Sequence, residues 1–463
     1  MKSRGVWGSP GTGKTTWLMG VCNTYVEAGA SVCFVSHTKA AANELIERIG
    51  KKHKKSPVTA STIHSLVFGM LGLTRDQVVT TERLVSFGND IGVKISGEFD
   101  ITGEQERFIE EGDEAMSIIS RADARMRSHM EEYEDSERPL PIGTFEYVSK
   151  AYKRWKASNS YIDFNDMLKL FINNPISVNY DVLIVDEAQD LSDLQWAVID
   201  ELVKNVQWAV IGGDPDQALY VWGGAKIRGM NAFCEKYGAE QHVLPQSYRI
   251  PSSVHEVAIK LRNNIKVKDD VSYKPRDYVG SVNYYPSAEG LVFDDTSTLV
   301  LYRTHAMRRE IEGKLIDECV PYTVLNGMRD PWSGRYGHAV RAVHKLQAGE
   351  RVSASQKRML DKLSRYSSIP MDIPWYQILN IPDRQMNYMI ETEDKEPNVR
   401  LSTIHGAKGK EDDRVILFTG LSQRIIDGME RDMDAEHRVF YVGVTRARET
   451  LDVVQGDSPY GYI

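Results

Sequence analysis

Gly8-Ser9-Pro10-Gly11-Thr12-Gly13-Lys14-Thr15 follows the short strand-like run Arg4–Trp7 and opens Lys14–Ala28, a stretch with helical apolar spacing. This is GxxxxGK[ST] in the one context where the pattern carries weight, between a strand and a helix. Glycines let backbone N–H groups wrap a phosphate, and the helix N-terminus adds positive potential. Gly8, Ser9, Pro10, Gly11, Thr12, Gly13, Lys14, Thr15 and Thr16 are therefore the expected nucleotide-binding residues. Lys14 is placed for the outer phosphates, and the Thr15 hydroxyl for Mg²⁺. The loop by itself says nucleoside triphosphate, and nothing about what the energy does.

The second half of that site is Val182-Leu183-Ile184-Val185-Asp186-Glu187-Ala188-Gln189-Asp190. Four apolar residues form a buried strand whose end presents paired carboxylates. Asp186 is placed to bind Mg²⁺, and Glu187 to activate or orient an attacking water.

Outward from these two strands the chain alternates short apolar runs with helical patterns. Val32–Ser36 and Trp208–Ile211 complete a first parallel set, with helices near Lys39–Ile49 and Leu191–Lys204. A second set comprises Leu299–Tyr302, Tyr322–Leu325, Val399–Ser402, Val415–Phe418 and Leu451–Val454, with helices near Met307–Glu318 and Ala435–Thr445. The fold class is α/β, with two sheets, each interrupted by an insertion of different texture.

Composition narrows the class of partner. The chain has 463 residues, four scattered Cys without CxxC spacing and no long apolar run, which points to a reducing cytoplasm and no membrane. A net charge of −8 argues at first against nucleic acid. Yet Glu98–Glu137 alone holds 14 acidic and 4 basic residues, with Ile118 and Ile119 at helical spacing, so the rest of the chain is near neutral. That segment reads as solvated helices of an inserted domain, with its acidic face turned from any nucleic acid. Lys51-Lys52-His53-Lys54-Lys55 reads as a solvated helix end, with a phosphate-contact patch as the alternative.

Further motifs follow in order: Thr38–Leu45, Ser61–Ser65, Asp163-Phe164-Asn165-Asp166, Gly213-Asp214-Pro215-Asp216-Gln217 through Trp222, Gln246-Ser247-Tyr248-Arg249, Leu301–Thr304, Thr403–Glu411 and Phe440–Arg448. With the nucleotide motifs they resemble the UvrD/Rep/PcrA-like superfamily 1 DNA helicases across residues 4–454, in a compact form that suggests a phage-type enzyme. The resemblance implies two RecA-like parallel-sheet motor domains, each carrying a largely helical insertion. Residues 1–66 and 158–245 would form the first domain and 67–157 its acidic insertion. Residues 246–328 and 396–463 would form the second domain, and 329–395 a short second insertion.

The resemblance also implies roles. ATP with Mg²⁺ is the cofactor, Thr15 and Asp186 holding the metal. Gln217 senses the γ-phosphate, Tyr248 stacks on the base, and Arg249 and Arg446 reach across from the second domain. Together with Lys14, Asp186 and Glu187 these form the catalytic set. A cationic fork supplied on closure suits a transferring phosphoryl group. Glu411 is placed at the ribose. Thr38, His64, Tyr220, Trp222, Thr403 and His405 are implied along single-stranded DNA, whose bases aromatic faces would stack without sequence preference. The implied activity is 3′→5′ translocation on single strands and unwinding at single/double-strand junctions by a cytoplasmic monomer. A DNA-stimulated ATPase that strips proteins or serves a nuclease complex is the alternative. A catalytically dead scaffold would have lost one of these groups, and none is lost.

Some positions depart from the family pattern. Only seven residues precede Gly8, without the glutamine stretch that reads adenine, so relaxed nucleotide choice is expected. Ser36 replaces a stacking Phe, with His37 a partial substitute, Gly223 replaces an Arg, and Lys410-Glu411-Asp412 replaces Leu-Glu-Phe. The last apolar run lies close to the end of the sequence, so no appended module is expected.

Overall fold

A computed structural model describes residues 1–36, 42, 58–97, 110–136, 140–177, 179–325, 330–456 and 462. Apart from Ala42, the Thr38–Leu45 motif and the helix expected near Lys39–Ile49 lie outside the described residues, as do His37 and the Lys51–Lys55 run.

Two six-stranded parallel sheets form the frame. The first comprises β1 (Lys2–Gly8), β2 (Val32–Ser36), β3 (Val58–Ser61), β4 (Val182–Asp186), β5 (Trp208–Gly213) and β6 (Glu240–Leu244), in the order β3-β2-β4-β5-β1-β6. The second comprises β7 (Ser281–Tyr285), β8 (Thr298–Tyr302), β9 (Tyr322–Val324), β10 (Val399–Thr403), β11 (Asp412–Phe418) and β12 (Ala447–Val454), in the order β7-β12-β11-β8-β10-β9. Every inner strand was legible as an apolar run, because a parallel strand covered on both faces must be apolar throughout. β4 is buried along its whole length, and so is β8. The strands without such a run are β3, β6 and β7, all at sheet edges and all half-exposed.

The described chain packs as two compact units, Met1–Tyr278 with Asp427–Tyr441, and Val279–Ile426 with Val442–Ile463. The sequence places a boundary near residue 245; in the structure residues 246–278 pack with the first sheet. Trp7 Nε1 donates to Asp269 (2.7 Å), Tyr248 N to the Gly11 carbonyl (2.8 Å), and Arg262 pairs with buried Asp216 (2.5 Å). Asp434 accepts from the backbone N–H groups of Lys266 and Val267, and the wholly buried Arg438 donates to the Val267 carbonyl (2.6 Å). Those bonds bring 427–441 to the same unit.

The first insertion has its own core of Leu84, Phe87, Met116, Ile119, Phe145 and Tyr152. Its helices Glu111–Ala124 and His129–Glu134 fall in the acidic segment, as helical spacing predicts. Its acids are not all solvated. Glu132 is 1% exposed and is held by Arg121, Arg125 and Arg127, while Asp113 accepts from the backbone of Ser96 and Gly97. In the second unit, Arg335–Gln347 and Ala354–Leu363 bury Val340, Val343 and Leu360 in the core shared with β8 and β10. No helix among the described residues is long and apolar enough to cross a membrane.

Candidate active site and strand platform

The loop between β1 and the helix Lys14–Glu27 turns through two left-handed glycines, Gly11 (φ +72°) and Gly13 (φ +79°). L side chains are disfavoured there, and Gly leaves the backbone open to close approach. Thr12 ties the turn by donating its N–H and its hydroxyl to the Ser9 carbonyl. Space is also short: a Cβ on Gly8 would lie 2.9 Å from Lys14 Cβ, and one on Gly11 2.4 Å from Arg249 Cβ.

β4 lies two strands from β1 and delivers its carboxylates to the same end of the sheet. Asp186 accepts from the Thr15 hydroxyl (2.7 Å), and Lys14 Nζ lies 3.2 Å from Glu187. Burial would lower the pKa of Lys14, but Glu187, Asp186 and Asp214 outweigh it and hold the ammonium charged. Burial pushes Asp186 up to about 6, with Glu187 adding and Lys14 opposing. Asp214, at the end of β5, is pushed up to about 7 by burial and by Asp216. A hydroxyl beside a desolvated carboxylate is a hard-oxygen donor set that fits Mg²⁺, and a divalent cation would relieve the charge cost at Asp186.

Gln217 donates to Asp214 (2.6 Å) in the tight turn Pro215–Gln217. Tyr248 donates its backbone N–H to the Gly11 carbonyl (2.8 Å), and Ser247 its hydroxyl to the Pro10 carbonyl (2.8 Å). Tyr248 and Arg249 are thus fixed against the phosphate loop within one unit, and Tyr248 is 73% exposed. In the second unit Arg446 is buried and donates to the Val442 carbonyl (2.9 Å), and Glu411 is half-buried, its carbonyl accepting from Arg400.

Tyr220 and Trp222 follow the Asp214–Gln217 turn directly, edge to face with centroids 5.8 Å apart and both half-buried. Arg125 of the first insertion donates to the Val221 carbonyl between them (3.1 Å). His64 meets Phe164 edge-on at 5.4 Å, and Phe164 is 57% exposed. In the second unit Thr403 and His405 are buried, and the Thr403 hydroxyl accepts from the Gly406 N–H.

Comparison with known proteins identifies the family. The description UvrD/REP helicase N-terminal domain matches residues 2–238, over half the chain, and UvrD-like helicase C-terminal domain matches residues 375–455. The chain belongs to the UvrD/REP helicase family. Among relatives, the Escherichia coli K12 protein named DNA helicase II is 26% identical over 375 residues, 69% of this chain and 49% of that one. A Mycoplasma capricolum protein named probable DNA helicase II homolog is 26% identical over 214 residues, 40% of this chain and 29% of its own. The Staphylococcus epidermidis protein named ATP-dependent DNA helicase PcrA is 26% identical over 209 residues, 39% of this chain and 29% of its own. The chain thus spans at most about half the length of these relatives.

The UvrD/REP chain carries three site features that sequence reasoning does not single out. Gln189 and Asp214 sit inside recognisable motifs, but their importance lies in what they touch across the sheet. Phe164 has a readable signal, an aromatic residue directly after the helix-capping Asp163, where a core residue is not needed.

Proposed function

We propose that this protein is an ATP-dependent translocase on single-stranded DNA that unwinds duplex from a single-stranded tail, moving 3′→5′. One observation carries the reading. Glu187, beside the phosphate loop, is joined through Gln189 to the Asp214–Gln217 turn, and Tyr220 and Trp222 follow that turn directly in the chain. A change at either end has a direct mechanical route to the other.

In this reading the loop and Lys14 hold the phosphates, Thr15 and Asp186 hold Mg²⁺, and Glu187 takes the proton of the attacking water. Gln217 registers the γ-phosphate, Arg249 and Arg446 supply positive charge to the transferring group, and Tyr248 carries the base. His64, Phe164, Tyr220 and Trp222 offer faces to successive bases, with Thr403 and His405 in a supporting part. Stacking explains how a chain of net charge −8 can hold nucleic acid without a large basic field.

Strand displacement on duplexes with a 3′ or a 5′ tail, beside ATPase assays with and without DNA, tests the proposal. Displacement from the 3′ tail alone is expected, with DNA-stimulated hydrolysis. Lys14→Ala and Glu187→Gln are expected to abolish turnover while single-strand binding persists. Displacement only from a 5′ tail overturns the polarity, and DNA-independent hydrolysis overturns the motor. DNA-stimulated hydrolysis without displacement would assign the protein to translocases that clear other proteins from a strand.

A further inference from the structure

Gln189 is wholly buried, and its side-chain amide is used at both ends. Its Oε1 accepts the backbone N–H of Asp214 (3.0 Å), while its Nε2 donates to Glu187 Oε2 (2.5 Å) and, more weakly, to Asp190 Oδ2 (3.4 Å). The partners dictate that orientation, since a backbone N–H requires an acceptor and a carboxylate requires a donor.

Two backbone features make room for this bridge. Glu187 has φ +55°, a left-handed conformation uncommon for a residue with a side chain, and its N–H is held by Asp186 Oδ1 (2.9 Å). At Gly213 an added Cβ would fall 2.6 Å from Gln189 Oε1, so glycine is what lets the amide approach the end of β5. The residue that receives the bridge, Asp214, is the one that holds Gln217. Tyr220 and Trp222 lie within the next eight positions of the chain.

We propose that Gln189 is a positioning residue that couples the strand platform to hydrolysis, its amide transmitting the position of the Asp214–Gln217 turn to the carboxylate of Glu187. The inference rests on the motor reading above. When DNA seats on Tyr220 and Trp222 the turn is set, the Asp214 N–H holds the Gln189 carbonyl, and the amide end of the same rigid plane aims Glu187 at the water. Without DNA the turn and the carboxylate are free to drift together. A misplacement of about 1 Å at a catalytic group costs on the order of 10²-fold in rate.

Two variants separate coupling from support. Gln189→Ala removes both ends of the bridge. Gln189→Met keeps the length and removes both the acceptor for Asp214 and the donor to Glu187 without adding a titratable group. The measurement is the ratio of ATPase kcat with and without single-stranded DNA, beside KM for ATP, single-strand affinity and the thermal midpoint. In both variants the ratio is expected to collapse towards one, while KM and strand affinity stay within about twofold of wild type and the midpoint shows a folded protein. Should Gln189→Ala fail to fold, the near-isosteric Gln189→Met decides alone. A wild-type ratio retained in the folded variants, even with both rates lowered, makes Gln189 a mere support and overturns the proposal. A wild-type protein that DNA does not stimulate overturns the motor reading itself, and the coupling falls with it.

Discussion

Asp186→Asn should make the protein more stable while it destroys the activity. Asp186 is buried, and its carboxyl is pushed up to about 6 from the ordinary value near 3.8. Folded protein therefore holds a proton on this group at pH values where the unfolded chain has released it. Stability falls as pH rises through the window from about 4 to 6, and the cost is complete above it. The raised value lowers stability by about 3 kcal/mol at pH 7.5, where the buried carboxylate is ionised, and by about 1 kcal/mol at pH 4.5, where the folded protein keeps a proton that the unfolded chain has largely released. Asparagine carries no charge to desolvate. Its oxygen can still accept from Thr15, but its NH₂ cannot accept the Glu187 N–H that Asp186 Oδ1 takes, a loss of about 1 kcal/mol at every pH. The variant should thus gain about 2 kcal/mol at pH 7.5 and about nothing at pH 4.5. Urea denaturation without nucleotide or divalent metal reads this directly, because six of the eight tryptophans lie in the unit that contains Asp186. A stability difference that stays flat between the two pH values, or a wild type more stable at pH 7.5, would refute the reasoning.

Gly11→Ala combines a left-handed backbone with a Cβ 2.4 Å from that of Arg249, and should cost about 1–3 kcal/mol of stability and weaken nucleotide binding, read by urea denaturation and nucleotide titration. Trp222→Ala should weaken single-strand binding by about 1–3 kcal/mol with little change in DNA-free ATPase; unchanged affinity would return Trp222 to a packing role. Arg262→Met strands the buried Asp216 carboxylate and should destabilise the first unit by about 3–5 kcal/mol in the same urea assay.

Legibility followed burial. The nucleotide loop was readable because phosphate cradling needs glycines at set positions next to a lysine, a demand that leaves a local signature. Lys14, Asp186 and Glu187 were readable for the same reason, since each stands at the end of a recognisable strand or at the start of a helix. Gln189 was not, because nothing local distinguishes a glutamine that caps a turn from one that bridges β4 to β5.

By itself, then, the sequence determined the inner strands of both sheets, the phosphate loop and the carboxylates opposite it. Each of these is imposed on a few consecutive residues by burial on two faces or by the shape of a phosphate. Tertiary structure decided the rest. The edge strands β3, β6 and β7 are half-exposed along their length, so their composition carries no apolar run and a neighbouring strand makes them strands. Residues 246–278 and 427–441 join the first unit through Asp269, Asp216 and Asp434, polar groups whose partners lie far away in sequence. The Gln189 bridge exists only because parallel pairing sets the ends of β4 and β5 side by side, Val185 opposite Ile211.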